Sequence, residues 1–330
     1  MNKKFKTFRV ELDEKNNVKR SIKTRFLNQL PEGDVLIKVK YSSVNYKDAL
    51  SANGNRGITK TYPHTPGIDA SGIVEKSDDK RFKKGDKVLV TGYDLGMNTD
   101  GGFSEYIRIP GNWPVKLPEN LTLKEAMIYG TAGYTAALSI YRLIERINPS
   151  DGDILVTGAT GGVATNAISI LNKIGYNVIA ATSKLEKEKF LKNLGAKKVV
   201  NRHKLEISKD KLLASAKFAG AIDTVGGNTL SSALKMLKYD GVATTCGNVG
   251  GDTFEASIYP FILKGTHLIG IYSAKSPRDT REKIWNLLAG EWKIDFTKQQ
   301  INVIDFENLN DTIESLLNST HVGRTILEIN

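Results

Sequence analysis

The sequence predicts an α/β protein, a parallel, doubly wound sheet covered by helices and joined to a smaller β-rich domain. Three observations lead there. From Asp153 onward, short apolar runs alternate with helical stretches, the arrangement that buries a parallel sheet under helices on both faces. Before Leu121, short strand patterns instead alternate with Gly, Pro and Asp turns. The 330 residues also suggest two domains, at about 150 residues each.

In the first third, the turn Pro31-Glu32-Gly33 precedes a strand at residues 34–41. Strands at 72–75 and 87–91 follow, the second after Lys83-Lys84-Gly85-Asp86. The pattern changes near Leu121: residues 122–126 read as a capped helix start, and 131–147 as a long helix ended by Asn148-Pro149.

The continuous apolar run 154–157 fits a strand buried on both faces. Gly158-Ala159-Thr160-Gly161-Gly162 is the turn after it, and 163–174 the helix, closed by Gly175. A strand at 177–181, a helix at 185–194 capped by Gly195, and a strand at 198–200 come next. Strands at 220–223, 242–245 and 268–271 continue the series. The tail leaves this regime, with strand patterns at 301–304 and 325–329 around a helix at 306–317, and is expected to return to the first domain. The expected domains are 1–122, 123–296 and the returning segment 297–330.

Hydrophobic residues at 40% and charged residues at 25% describe an ordinary globular chain. Lys and Arg number 47 against 36 Asp and Glu, a net charge of +11. The basic residues are interleaved with acidic ones, as at 184–189, so the charge points to phosphorylated small molecules rather than nucleic acid. The one cysteine, Cys246, excludes an intramolecular disulfide and a multi-cysteine zinc site, and suits a reducing compartment. The N-terminus shows no signal-peptide pattern. The uncharged stretches 126–141 and 154–172 are too short or too broken by glycine to span a bilayer, so a soluble, cytoplasmic protein is expected.

A strand, a glycine turn and a helix within one βαβ unit are the setting in which glycines bind a dinucleotide. The turn brings backbone close to a pyrophosphate, and the helix N-terminus offers free N–H groups and positive potential. The G-x-G-x-x-G pattern aligns with residues 159–164, its middle glycine at Gly161 and Ala164 at the third position. An acidic residue at the end of the second strand would bind the ribose 2′-hydroxyl of NAD. Thr182-Ser183-Lys184 stands there instead, and Arg202 follows the third strand. Hydroxyls and cations suit a 2′-phosphate, so the expected cofactor is NADP(H).

With these residues in hand, the chain resembles the medium-chain dehydrogenase/reductase superfamily, and within it the zinc-independent quinone oxidoreductases of the acrylyl-CoA reductase branch. The resemblance covers essentially the whole chain. It rests on the segments 43–49, 66–72, 130–136, 156–164, 221–226, 260–263 and 323–325, in order and at matching spacing. It implies a GroES-like β domain built from both ends of the chain, a central Rossmann domain and a catalytic cleft between them. It further implies Tyr46 near the nicotinamide, Thr160, Gly161, Gly162 and Val163 at the pyrophosphate, and Thr182, Ser183, Lys184 and Arg202 at the adenosine phosphate. Asn248, Ile262, Ser273 and Asn318 fall at further cofactor positions. Zinc-dependent relatives carry Gly-His-Glu where this chain has Gly67-Ile68-Asp69, and His64, His203, His267, His321 and Cys246 show no clustered spacing, so no metal is expected.

The chemistry this implies is hydride transfer from NADPH to an activated acceptor, a short 2-enoyl-CoA such as acrylyl-CoA or, as the alternative, a quinone. Tyr46 is the candidate catalytic residue, supplying a proton or holding the carboxamide. Asn45 and Asp48 hold its loop, and Asp69 with Arg324 forms a buried pair joining both ends of the β domain; for Asp48, Asp69 and Arg324 a structural role competes with a catalytic one. His64 is read as a loop histidine and Cys246 as a packed small residue. An apolar segment within 247–272, at a domain edge, suggests a homodimer. A rival from another class is an NADPH-binding protein that acts on RNA or in regulation with little turnover.

Overall fold

The computed structural model describes residues 3–330. The chain forms two compact units: residues 1–131, 274–282 and 300–330 make the first, and 132–273 with 283–299 the second. The segment 274–282, which the sequence reading assigns to the nucleotide-binding domain, clusters with the first unit. Its anchor is Arg281, which donates to the backbone and hydroxyl oxygens of Thr91, both at 2.8 Å, and lies over the Tyr93 ring.

The first unit is built on a seven-stranded sheet. Val35–Val44 pairs antiparallel with Asp69–Ser77, Tyr106–Ile109 and the C-terminal strand Arg324–Glu328. Lys87–Thr91, Val115–Lys116 and Ile301–Ile304 complete it. Alternate apolar side chains of these strands meet in one core, with Val35, Ile37, Val39, Val74, Val88, Val90 and Ile107 all buried. An N-terminal hairpin, Lys4–Leu12 with Val18–Phe26, adds Phe8 and Val10 to that core.

The second unit holds six parallel strands in the order Ala196–Asn201, Val178–Thr182, Ile154–Val156, Phe218–Asp223, Leu237–Thr245, His267–Gly270. The inner strands Ile154–Val156 and Val178–Thr182 read as unbroken apolar runs because both faces are covered; Leu155, Ile179, Ala221, Ala243, Leu230 and Leu234 pack in one cluster. The strand order reverses direction beside Ile154–Val156, which marks the crevice where such sheets bind ligands.

Two helices depart from expectation. The stretch read as 131–147 is a helix over Leu123–Leu143, broken at Gly130 (φ 51°, ψ −156°), while Asn148 begins a separate short turn, Pro149–Asp151. Thr122 caps its start, accepting from the Glu125 N–H at 3.1 Å, as the Glu125 carboxylate accepts from Thr122 N–H at 2.7 Å. The stretch 185–194 resolves into a turn of 3₁₀ helix, Leu185–Lys187, and a short helix, Glu188–Asn193. Among the described residues, no helix is long and apolar enough to cross a membrane.

Candidate functional site

In the second unit, the turn after Ile154–Val156 is shaped by two glycines with different tasks. Gly158 has φ 59°, and a Cβ there would lie 2.5 Å from Thr224 Oγ1, so glycine alone permits the turn. Gly161 donates its N–H to Gly158 O at 2.9 Å and caps the helix Gly162–Lys173. A Cβ on Gly161 would meet only Gly158 O, at 3.2 Å, leaving the backbone approachable from outside. The Thr160 side chain is buried, whereas Gly161, Gly162 and Val163 are half-buried. Open backbone at a helix N-terminus is the geometry that receives a pyrophosphate.

A buried carboxylate joins the strand ends beside this turn. Asp223 accepts from Thr157 Oγ1 at 2.8 Å, from Gly226 N–H at 2.9 Å and from Thr245 Oγ1 at 3.2 Å. Thr224 N–H donates to Thr157 Oγ1 at 3.0 Å. Asp223 therefore ties together the carboxyl ends of three neighbouring strands. Burial raises its pKa and the donated bonds oppose that rise. Sequence reasoning met Asp223 only inside a motif; the available signal was a carboxylate closing a buried apolar strand.

At the end of the second strand, Thr182 is buried and its hydroxyl accepts from Lys184 N–H at 3.0 Å. Ser183 is exposed and Lys184 half-buried, its pKa lowered chiefly by burial. Thr182 pairs in register with Asn201, so Ser183 and the exposed Arg202 leave the sheet side by side. Two cations and two hydroxyls thus lie at neighbouring strand ends. Asn248 and Ile262 are exposed in the same unit, and Ser273 accepts from Thr135 Oγ1 at 2.8 Å.

In the first unit, Tyr46, 38% exposed, opens the helix Tyr46–Ala52, and Asn45 is the residue before it. Asn45 N–H donates to Asp48 Oδ2 at 2.8 Å, and Asp48 Oδ1 accepts from Ile68 N–H at 2.8 Å and Gly67 N–H at 3.1 Å. Asp48 is wholly buried; that burial, with the negative Asp69 nearby, raises its pKa to about 7. Asp69, also wholly buried, accepts from Thr131 N–H and Asn45 Nδ2, both at 2.8 Å, from Thr131 Oγ1 at 2.5 Å, and from Ser43 Oγ.

Arg324, from the far end of the chain, donates Nε to Ile128 O at 2.9 Å and Nη1 to Asn45 Oδ1 at 3.2 Å, while Nη2 has no hydrogen-bond partner. Burial lowers the Arg324 pKa and the charges of Asp69 and Asp48 oppose it. Asp69 and Arg324 are thus linked through the amide of Asn45, which donates to one and accepts from the other. Ser43 and Thr131, part of this cluster, were not singled out from sequence as site residues. Asn318, which follows the helix Leu309–Leu317, lies exposed in the same unit.

Comparison with known proteins places this geometry. A family model described as alcohol dehydrogenase GroES-like domain matches residues 31–119, and one described as zinc-binding dehydrogenase matches 162–290. YhfP of Bacillus subtilis, named as a quinone oxidoreductase, is 44% identical over 93% of this chain and 94% of its own. The chain belongs to the medium-chain dehydrogenase/reductase superfamily, in its quinone oxidoreductase family. The acrylyl-CoA reductase AcuI of Ruegeria pomeroyi is 37% identical over 99% of both chains. Crystal structures agree closely with this fold. The Salmonella enterica oxidoreductase yhdH in complex with NADP has TM-score 0.95 at 36% identity, covering 98% of this chain and 100% of its own. Bacillus subtilis yhfP with NAD bound has TM-score 0.96 at 42% identity, covering 99% and 100%.

The zinc in the family model's description finds no donor set among the described residues. Among the described residues, no group of three or more His, Cys, Asp or Glu is placed to hold a metal ion. Cys246 is partly covered by the chain, and burial pushes its thiol up to about 12, away from the thiolate that zinc needs. His64, read from sequence as a loop histidine, is buried, its backbone bridging to Val10 and its ring 3.9 Å from Asp100. Asp100 is already engaged by Arg9 and Arg25, each at 2.5 Å.

Proposed function

We propose that this quinone oxidoreductase family member is an NADPH-dependent reductase acting on a carbonyl-conjugated C=C, its acceptor a short 2-enoyl-CoA such as acrylyl-CoA. One observation carries the cofactor choice: Thr182, Ser183, Lys184 and Arg202 gather at adjacent strand ends, where a 2′-phosphate gains charge-assisted hydrogen bonds. The glycine turn supplies the open helix N-terminus for the pyrophosphate. The acceptor class follows the likeness to acrylyl-CoA reductase and the net charge of +11, which favours a phosphorylated substrate.

When held by the glycine turn and by Thr182, Ser183, Lys184 and Arg202, NADPH would supply the hydride for reducing the conjugated double bond. The protein's work is orientation and stabilisation of the negative charge that develops on the carbonyl. Tyr46, half-exposed at the start of its helix, is the candidate donor of the proton for the α-carbon. Asn45 is a positioning residue, because its amide is engaged by Arg324, Asp69 and Asp48. Asp48, Asp69 and Arg324 act through it and through the backbone, holding the start of the Tyr46 helix in place.

Quinone reduction is the second reading, favoured by the likeness to YhfP. The test follows NADPH absorbance, with NADH alongside, while the protein is offered acrylyl-CoA, crotonyl-CoA or a small quinone. Fast NADPH loss with a thioester supports the proposal. Loss with quinone alone moves the assignment to the second reading, and binding of NADPH without turnover favours a binding protein. We further propose a homodimer joined at the sheet edge His267–Gly270, near which Ile262, Leu263 and Tyr272 are exposed. Sedimentation showing only 36.3 kDa particles would sink that assembly.

A further inference from the structure

A groove of about 710 Å³ runs along the helix Gly227–Lys235 in the second unit. Gly227, Ser231 and Lys235, spaced four apart on one helical face, form one wall. Lys209 and Leu212 contribute from the preceding loop, and Phe254 from the segment opposite. None of these residues belongs to the glycine turn or to the Thr182–Lys184 strand end. The opposite wall is fixed in place: Ser231 Oγ donates to Glu255 O at 2.6 Å, and Gly250 N–H to Val225 O at 2.8 Å.

The charges of this groove are under-used. Lys235 is 4% exposed, and its ammonium donates to Ser208 O at 3.1 Å. An ammonium carries three donors, and among the described residues no carboxylate forms an ion pair with this one, whose bond goes to a backbone carbonyl. Nor does the helix terminus need it, since the Lys264 ammonium already donates to Lys235 O and Leu237 O, both at 2.9 Å. Lys209 meets Glu255 at 3.7 Å, but both side chains are 74% exposed, so this contact is weak and free to exchange. Beside the two cations, Phe254 and Leu212 are 42% and 46% exposed. A buried cation with no anion, next to uncovered apolar side chains, fits a ligand that is anionic at one end and flat and apolar at the other.

We propose that this groove is a second ligand site, separate from the cofactor crevice, that takes a nucleoside monophosphate. The phosphate lies toward Lys235 and Lys209, and the base covers Phe254 and Leu212. A bare inorganic anion would leave those apolar side chains uncovered, and the volume suits a ligand of nucleotide size.

Calorimetric titration of AMP into the protein saturated with NADPH tests this, with inorganic phosphate as a second titrant and NADPH fluorescence reporting its occupancy. One AMP should bind per chain without displacing NADPH, and phosphate should bind more weakly. Lys209→Glu and Phe254→Ala should each weaken AMP about tenfold, with melting curves and NADPH binding unchanged. Lys235→Gln should weaken it further; as that side chain is buried, the two surface variants keep the test independent of folding. No AMP binding, AMP that displaces NADPH, or affinity unchanged by both surface substitutions would each overturn the proposal.

Discussion

Thr131 donates twice to Asp69, its backbone N–H to Oδ2 at 2.8 Å and its hydroxyl to Oδ1 at 2.5 Å. The helix Leu123–Leu143 breaks at Gly130, one residue earlier, and a break frees backbone groups that must find other partners. Asp69 takes the N–H after the break, and Arg324 takes the Ile128 carbonyl before it. The buried charges therefore cap both halves of one helix. Thr131→Val should lose one bond to a charged acceptor, about 1.5–3 kcal/mol, while Thr131→Ser keeps it. Urea unfolding of the two variants compares them directly, and equal stabilities would show that the hydroxyl is dispensable.

Arg324 is the cation facing two wholly buried carboxylates, Asp48 and Asp69. Arg324→Met removes it and, above about pH 7 where Asp48 is ionised as well, leaves them uncompensated, a loss of about 3–5 kcal/mol. Arg324→Lys keeps the charge but cannot reach both Ile128 O and Asn45 Oδ1 as the guanidinium does, so it should fall between. Denaturant midpoints measure the series. A methionine variant as stable as the parent would mean that the carboxylates are neutral in the folded protein.

The parallel sheet was legible because strands buried on both faces appear as unbroken apolar runs, as in Ile154–Val156 and Val178–Thr182. The glycine turn was legible because its backbone demands fall on consecutive residues. The cluster around Asp69 was legible only as separate pieces: Ser43, Asn45, Asp69, Thr131 and Arg324 are far apart in the chain, and only tertiary structure unites them. The break at Gly130 was hidden too, since the residues around it keep helical composition and a glycine inside a helix marks no break by itself. The N-terminal hairpin carries no clear signal in the sequence because its core residues, Phe5, Phe8 and Val10, are spaced among charged ones.

Asp48 makes stability depend on pH in an unusual direction for a carboxylate. Its pKa of about 7 in the folded chain lies above the ordinary 3.8, so the folded state holds a proton that the unfolded chain has released. Its contribution therefore falls as pH rises through the interval between those values and is fully lost above about pH 7. Asp48→Asn cannot titrate there. The melting temperature of the parent, relative to that of the variant, should fall from about pH 5 to about pH 8. A difference constant across that range would return Asp48 to an ordinary carboxylate.

The two glycines of the turn should separate folding from cofactor binding. At Gly158 the backbone is left-handed, with φ 59°, and a Cβ would press on Thr224 Oγ1 at 2.5 Å and Val225 Cγ2 at 3.0 Å. Gly158→Ala therefore strains the crevice itself, costing about 1–2 kcal/mol for the backbone alone. At Gly161 the backbone is extended, with φ −79°, and the nearest atom to an added Cβ is Gly158 O at 3.2 Å. Gly161→Ala should fold with a melting temperature close to the parent's, yet its methyl group occupies space that the pyrophosphate needs. NADPH affinity, measured by cofactor fluorescence, should fall about tenfold or more in Gly161→Ala. If that variant binds NADPH as the parent does, the pyrophosphate does not lie over this turn, and the cofactor assignment of residues 160–163 fails with it.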